Sequence, residues 1–152
     1  MQIKVAFRAL SPLLGTKIAL PAAATAGSAA IDIRACVEQP VVIPAGGRAL
    51  IPSGFAIAIP SPDIAGLVFA RSGLAAKSGI CLANGVGLID SDYRGEIMVG
   101  LFNSSGEDFT ILPGDRVAQL AFVPVHTANL VMAEDLEDTE RGTGGFGSTG
   151  LK

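Results

Sequence analysis

Two aspartates, an aromatic ring and a guanidinium are packed into one short run, Gly87-Leu-Ile-Asp-Ser-Asp-Tyr-Arg-Gly-Glu96, with Asn84-Gly85 just upstream. Strand-like alternation leads into it. An ordinary hairpin with a polar tip explains these residues. So does a carboxylate, Asp90, placed to activate water beside the flat face of Tyr93. Arg71-Ser-Gly-Leu-Ala75 follows an apolar strand and opens a short Ala-rich piece. It reads either as a helix cap or as an anion site, with Ser72 and Gly73 offering backbone N–H groups beside the Arg71 charge. In Gly27-Ser-Ala-Ala-Ile-Asp-Ile-Arg34, alternation sets Asp32 on the face opposite Ile31 and Ile33. A carboxylate there calls for a cation, and Arg116 of Gly114-Asp-Arg-Val-Ala-Gln-Leu120 is the candidate partner.

Other phosphate and catalytic patterns fail on spacing. No Gly-x-x-x-x-Gly-Lys-Ser/Thr occurs. Gly142-Thr-Gly-Gly-Phe-Gly147 matches Gly-x-Gly-x-x-Gly by letter, but no preceding strand and following helix give it the dinucleotide-binding context. His126 is the only histidine, which excludes multi-histidine metal sites, and its place at a strand end reads as an ordinary surface position.

These groups must be held by short strands. The chain has 152 residues, enough for one domain. It is 49% hydrophobic and 16% charged, with 19 Gly and 9 Pro. That is too apolar for disorder and rich in turn formers. The low charge suggests surface covered by partner subunits. Net charge is −3, so no global basic field serves duplex nucleic acid or an anionic membrane. Lys4 and Arg8 interrupt any secretory apolar stretch, and the uncharged run 49–62 holds three prolines and is too short to span a bilayer. A cytoplasmic protein is expected, with Cys36 and Cys81 as reduced structural thiols.

Ile- and Val-rich runs recur between turn signals at 44–47, 60–63 and 112–115. Strands are predicted at 3–7, 31–36, 41–43, 48–51, 55–59, 67–70, 86–89, 96–102, 109–111, 117–125 and 130–133. One short helix is predicted at 73–77, stopped by Gly79. The fold class is all-β, a jelly-roll-like sandwich or barrel. Residues 1–140 are expected to form that single domain. Residues 141–152, Gly-rich around Phe146, are expected to be a mobile arm.

Taken in order, the blocks at 29–33, 71–73, 87–95, 114–119 and 141–150 resemble the trimeric deoxyuridine triphosphatase (dUTPase) family. The resemblance covers nearly the whole chain, and the tail is its most specific part. It implies the β-clip variant of the jelly roll and Mg²⁺-dependent hydrolysis of dUTP to dUMP and diphosphate. That activity limits uracil in DNA and supplies dUMP for thymidylate synthesis. Asp90 would deprotonate the water that attacks the α-phosphorus. Tyr93 would pack under the deoxyribose and leave no room for a 2′-hydroxyl. Asn84 and the backbone of Gly87, Leu88, Ile89 and Met98 would hydrogen-bond uracil, in a hairpin too tight for a 5-methyl group. Arg71, Ser72, Gly73 and Gln119 would hold phosphates. Mg²⁺ would bridge their oxygens with no direct side-chain ligand, Asp32 and Gln119 reaching it through water; anchoring Arg116 is the other role open to Asp32. In the tail, Arg141, Ser148 and Thr149 would hold the γ-phosphate while Phe146 stacks on uracil, and Gly147 would be a further substrate-binding position. The family forms homotrimers in which the arm closes a neighbour's site. Ala30 and Thr143 depart from its usual residues without touching a named role. A deoxycytidine triphosphate deaminase of the same fold would need a Glu acid–base and usually lacks this arm. A non-catalytic nucleotide-binding adaptor would not need Asp90 and Tyr93 together.

Overall fold

Alternation of branched apolar residues with small or polar ones becomes, in the computed structural model, a set of short antiparallel strands; residues 3–145 are described. In chain order these are β1 (Ala6–Ala9), β2 (Ala22–Ala23), β3 (Ile31–Arg34), β4 (Val41–Ile43), β5 (Arg48–Pro52) and β6 (Phe55–Ala58). There follow β7 (Ile64–Ala70), helix α1 (Ser72–Ser78), β8 (Ile80–Leu82), β9 (Gly87–Ile89), β10 (Met98–Asn103), β11 (Phe109–Ile111) and β12 (Arg116–Pro124).

The largest sheet has the order β2-β3-β12-β7-β9, and a smaller one runs β5-β10-β8. Two-stranded pairs β1-β6 and β11-β4 complete the described sheets. Neighbours in space are mostly distant in sequence, which gives the jelly-roll topology expected from the turn spacing. The chain passes between sheets at the end of β3. There Ala35 donates its N–H to the Asp115 carbonyl, while Cys36 donates to that of Pro52 at the end of β5. Between the sheets lies an aliphatic core with Ile33, Ile51, Ile80, Leu101 and Leu120 fully buried around Phe55. Each such side chain contributes about 1.5–3 kcal/mol on burial.

Turn chemistry is as the sequence dictates. At Leu112-Pro-Gly-Asp115, Pro113 presets φ and Gly114 takes φ +83°, so the Asp115 N–H reaches the Leu112 carbonyl at 3.1 Å. Helix α1 begins one residue before its expected start and ends one later, where Gly79 at φ +67° donates to the Ala75 carbonyl.

Four expectations are corrected. The first strand lies at Ala6–Ala9, not at 3–7, because it pairs with β6 in the register Ala6↔Ala58. Strands β2 and β8 lie outside the expected set: β2 is two alanines and β8 is three residues directly after the helix stop, and their partners β3 and β10 hold them. The strand expected at 96–102 begins at Met98, since Ile97 spends its backbone groups on Phe55 and Ser53. No strand forms at 130–133. Leu130, Val131 and Met132 stand exposed, Met132 at 98%, and no other part of the described chain offers them an edge.

Both thiols are free: Cys36 is buried behind Gly54, and Cys81 donates weakly to the Phe102 carbonyl at 3.8 Å. Denaturation without reductant is therefore expected to expose two titratable thiols per chain. Recovery of none would mean that the cysteines pair in solution.

Candidate functional site

Asp32 sits in the middle of β3 opposite Gln119 of β12, and it is only 6% exposed. A carboxylate so buried must find compensating partners. Arg116 donates from Nη1 to Oδ2 at 3.1 Å, and Arg71 holds Nε 3.5 Å from Oδ1. Gln119 Nε2 donates to Oδ1 at 3.4 Å. Arg116 is thus the cation that the sequence suggested, and Arg71 is a second one.

Strict alternation would put Arg116 and Gln119, three residues apart, on opposite faces of β12. The register shift between Arg116 and Ala118 inserts Val117 as an extra residue, so Val117 and Ala118 are both buried while Arg116 and Gln119 share the Asp32 side. A β-bulge aims a side chain this way. Arg71 also donates to the Arg116 carbonyl at 3.3 Å. It caps helix α1 with extended backbone and no side-chain bond, and the first helical bond is Ala75 N–H to the Arg71 carbonyl. The amides of Ser72 and Gly73 therefore lack helical partners, next in sequence to Arg71, and amides of this kind suit an anion.

The acidic hairpin is built separately. Strand β9 is the outer strand of the large sheet, paired with β7 on one side, so its other edge presents free backbone groups of Gly87–Ile89. A Cβ at Gly87 would lie 3.1 Å from that of Val68, so any larger residue there would press on β7. Beyond Ile89 the chain turns, with Tyr93 N–H donating to the Asp90 carbonyl at 3.2 Å. The Tyr93 ring lies across Gly95, where a Cβ would overlap the phenol, and its hydroxyl donates to the Glu96 carbonyl at 2.9 Å. Tyr93 remains 43% exposed. Asp90 is exposed at the tip and Asn84 is exposed just before β9. Met98, opposite Pro52 at the start of β10, is 39% exposed.

The fold gathers Asp32, Arg71, Arg116 and Gln119, with Ser72 and Gly73 adjoining. It does not bring Asp90 and Tyr93 to them. Ile89 pairs with Gly66 of β7, and Arg71 lies five residues further along that strand, about 16 Å away at ~3.3 Å per residue. Asp90 is displaced in the opposite direction. Among the described residues Arg141 bonds only to Gly144, its Nε donating to the Gly144 carbonyl at 2.9 Å and its carbonyl accepting from the Gly144 N–H at 3.0 Å, and Phe146, Gly147, Ser148 and Thr149 lie outside the described residues. His126 is exposed after β12, as expected.

Sequence reasoning missed Glu96, whose Oε1 accepts the Gly54 N–H at 2.6 Å across 42 positions of chain. No local pattern signals such a contact. Among the described residues no three His, Cys, Asp or Glu side chains converge on a metal position. Both Asp32 oxygens already face cationic or amide donors. This donor set fits a divalent cation carried by phosphate oxygens and water rather than by a protein cage.

An antiparallel jelly roll, with an arginine-clamped carboxylate in its largest sheet and an acidic aromatic hairpin at that sheet's open edge, defines a β protein suited to an anionic, ring-bearing ligand. The family model described as dUTPase matches residues 16–150. A deoxyuridine 5′-triphosphate nucleotidohydrolase of Hahella chejuensis is 50% identical over 145 residues, 95% of each chain. One from Enterobacter sp. (strain 638) is 46% identical over 152 residues, the full length of both. Among solved structures, the dUTPase of Staphylococcus bacteriophage 80alpha with dUPNHPP superposes with TM-score 0.85 at 25% identity, covering 99% of this chain and 100% of that one. A mutant dUTPase from phage phi11 of S. aureus, described as revealing the coordination of a structural Mg(II) ion, gives TM-score 0.76 at 25% identity over 90% of this chain and 100% of that one. The chain belongs to the dUTPase family.

Proposed function

We propose that this protein hydrolyses dUTP to dUMP and diphosphate, keeping uracil out of DNA and providing dUMP for thymidylate synthesis. The observation that carries this reading is the hairpin. An exposed carboxylate, Asp90, follows directly from a strand edge with free backbone groups, beside a tyrosine ring whose tilt is fixed by Gly95 and the Glu96 carbonyl. A pyrimidine can bond to the β9 edge at Gly87–Ile89, helped by Asn84 and the backbone at Met98. Its deoxyribose then rests on the Tyr93 face, where a 2′-hydroxyl would collide. The close approach of β9 to Val68 at Gly87 supports a tightly held edge, and a 5-methyl group on the base is proposed to be excluded there. Asp90 takes a proton from the water that attacks the α-phosphorus, and the diphosphate leaves.

Arg71, Gln119 and the amides of Ser72 and Gly73 hold the phosphates. Asp32 orients Arg71 and Arg116, the role its geometry supports best, and reaches a metal only through water. Mg²⁺, when bound with the nucleotide, supplies charge neutralisation at the phosphate oxygens.

The separation between Asp90 and the Arg71 cluster supports an assembly. A site using both must take its hairpin from one copy and its clamp from another. The exposed apolar residues at 130–132 support the same reading, because a neighbouring copy can cover them. The arrangement proposed is a homotrimer in which residues 1–140 form the domain and 141–152 an arm closing a neighbour's site. There Arg141, Ser148 and Thr149 meet the γ-phosphate and Phe146 the base, with Gly147 a further substrate-binding position. No helix among the described residues is long and apolar enough to cross a membrane, and a cytoplasmic location remains the expectation.

Assays of dUTP, dTTP, dCTP and UTP with and without Mg²⁺ test the reading. Expected is Mg²⁺-dependent release of diphosphate from dUTP with strong discrimination against the other three. A UTP rate close to that for dUTP would remove the role given to Tyr93.

A further inference from the structure

Residues 90–95 stand outside the sheets, so the placement of Asp90 and Tyr93 depends on what holds the hairpin's outgoing limb. Ile97 fixes the strand below it, donating to the Phe55 carbonyl at 3.0 Å and accepting from Ser53 N–H at 3.2 Å. One residue higher, the Glu96 peptide carbonyl takes the Tyr93 hydroxyl at 2.9 Å, and its side chain takes the Gly54 N–H at 2.6 Å. Gly54 is itself a rigid post. It has φ +78°, a Cβ there would overlap the Cys36 sulfur, and its carbonyl accepts from Leu10 and Ser11 at 2.8 and 3.1 Å.

We infer that Glu96 is a positioning residue. By gripping the Gly54 amide it fixes the peptide whose carbonyl orients Tyr93, and thereby sets the ring and Asp90 in register with the bound sugar and phosphate. The inference rests on the dUTP reading above. Glu96 touches no substrate atom in it. What the reaction needs from Glu96 is a fixed acceptor at one position. A neutral acceptor of the same length therefore serves, whereas a shorter carboxylate pulls the limb toward Gly54.

The test compares full-length wild type with Glu96→Ala, Glu96→Asp and Glu96→Gln, measuring kcat and KM for dUTP and for UTP. Small misplacements near reacting atoms cost up to ~10²-fold. Glu96→Ala and Glu96→Asp are expected to lose about 10- to 100-fold in kcat on dUTP, and Glu96→Gln to stay within about threefold of wild type. The preference for dUTP over UTP should narrow in the Ala and Asp variants, because a loosened ring no longer excludes the 2′-hydroxyl. A merely structural role would lower both substrates together and leave the preference intact. That result overturns the inference, as does equal loss in Glu96→Gln and Glu96→Ala, or wild-type behaviour of Glu96→Asp. If Glu96→Ala does not fold, the Asp and Gln variants decide by the same criteria. A wild-type chain inert toward dUTP removes the functional reading and this inference together. A wild-type chain that turns over dUTP while its Glu96 variants behave normally removes the inference alone.

Discussion

Asp90→Asn is expected to bind nucleotide and fold normally while losing about 10²- to 10⁴-fold in kcat on dUTP, the usual contribution of a general base. The amide keeps the size and hydrogen-bonding shape of the carboxylate but cannot accept a proton from water. Asp90 is exposed and its backbone carbonyl receives the Tyr93 N–H, a bond that the substitution leaves in place. Binding of a non-hydrolysable dUTP analogue should therefore be nearly unchanged, which confines the loss to the chemical step. A fall in kcat of less than about tenfold would mean that another group takes the proton. Asp92 would then be the candidate on the same hairpin. Asp32 is a poorer one, since two guanidiniums and an amide already face its oxygens.

Removal of residues 141–152 should leave a folded trimer with catalytic efficiency reduced about 30- to 1000-fold. The described part of this segment adds nothing to the core: Arg141 is exposed and bonds only to Gly144. Closed over a nucleotide, a charge-assisted bond from Arg141 contributes about 1.5–3 kcal/mol. Stacking of Phe146 on the base adds about 1–3 kcal/mol. Ordering a Gly-rich segment takes back part of that, leaving ~2–4 kcal/mol, which sets the range above. Because the arm is proposed to serve a neighbour, mixtures of the tail-deleted chain with Asp90→Asn should recover activity. Some sites would then combine an intact Asp90 with an intact arm. Each variant alone should stay nearly inactive. Demonstrated subunit exchange without recovery would show that the arm serves its own chain.

Both experiments rest on residues that were legible in the sequence, because their chemistry is written locally. A carboxylate, an aromatic and a glycine within one turn define a polar hairpin wherever the chain places it. The Leu112–Asp115 turn and the Gly79 stop of α1 are equally local, since a preset φ at Pro113 and positive φ at Gly114 and Gly79 follow from covalent structure. The all-β class was legible for the same reason: period-two alternation is a property of consecutive residues. The Asp32–Arg116 pair was half legible, since a carboxylate between two isoleucines demands a cation without naming which.

Tertiary structure alone decided what depends on partners far along the chain. The bulge at Val117 turns Arg116 and Gln119 onto the Asp32 side, and nothing in their spacing announces it. Arg71 joins them because β7 and α1 meet beside β12. Strands β2 and β8 exist only through the edges they pair with, whereas the apolar run at 130–132 finds no such edge among the described residues and stays exposed. Glu96 acquired its role from an amide 42 positions away. The sequence by itself determined which chemical groups this protein carries and the alternation that makes it a β jelly roll. The register of β7 against β9 decided that the acidic hairpin and the arginine-clamped carboxylate stand apart in one chain, because each step along a strand fixes about 3.3 Å and a hydrogen-bonded ladder leaves no freedom to close the gap.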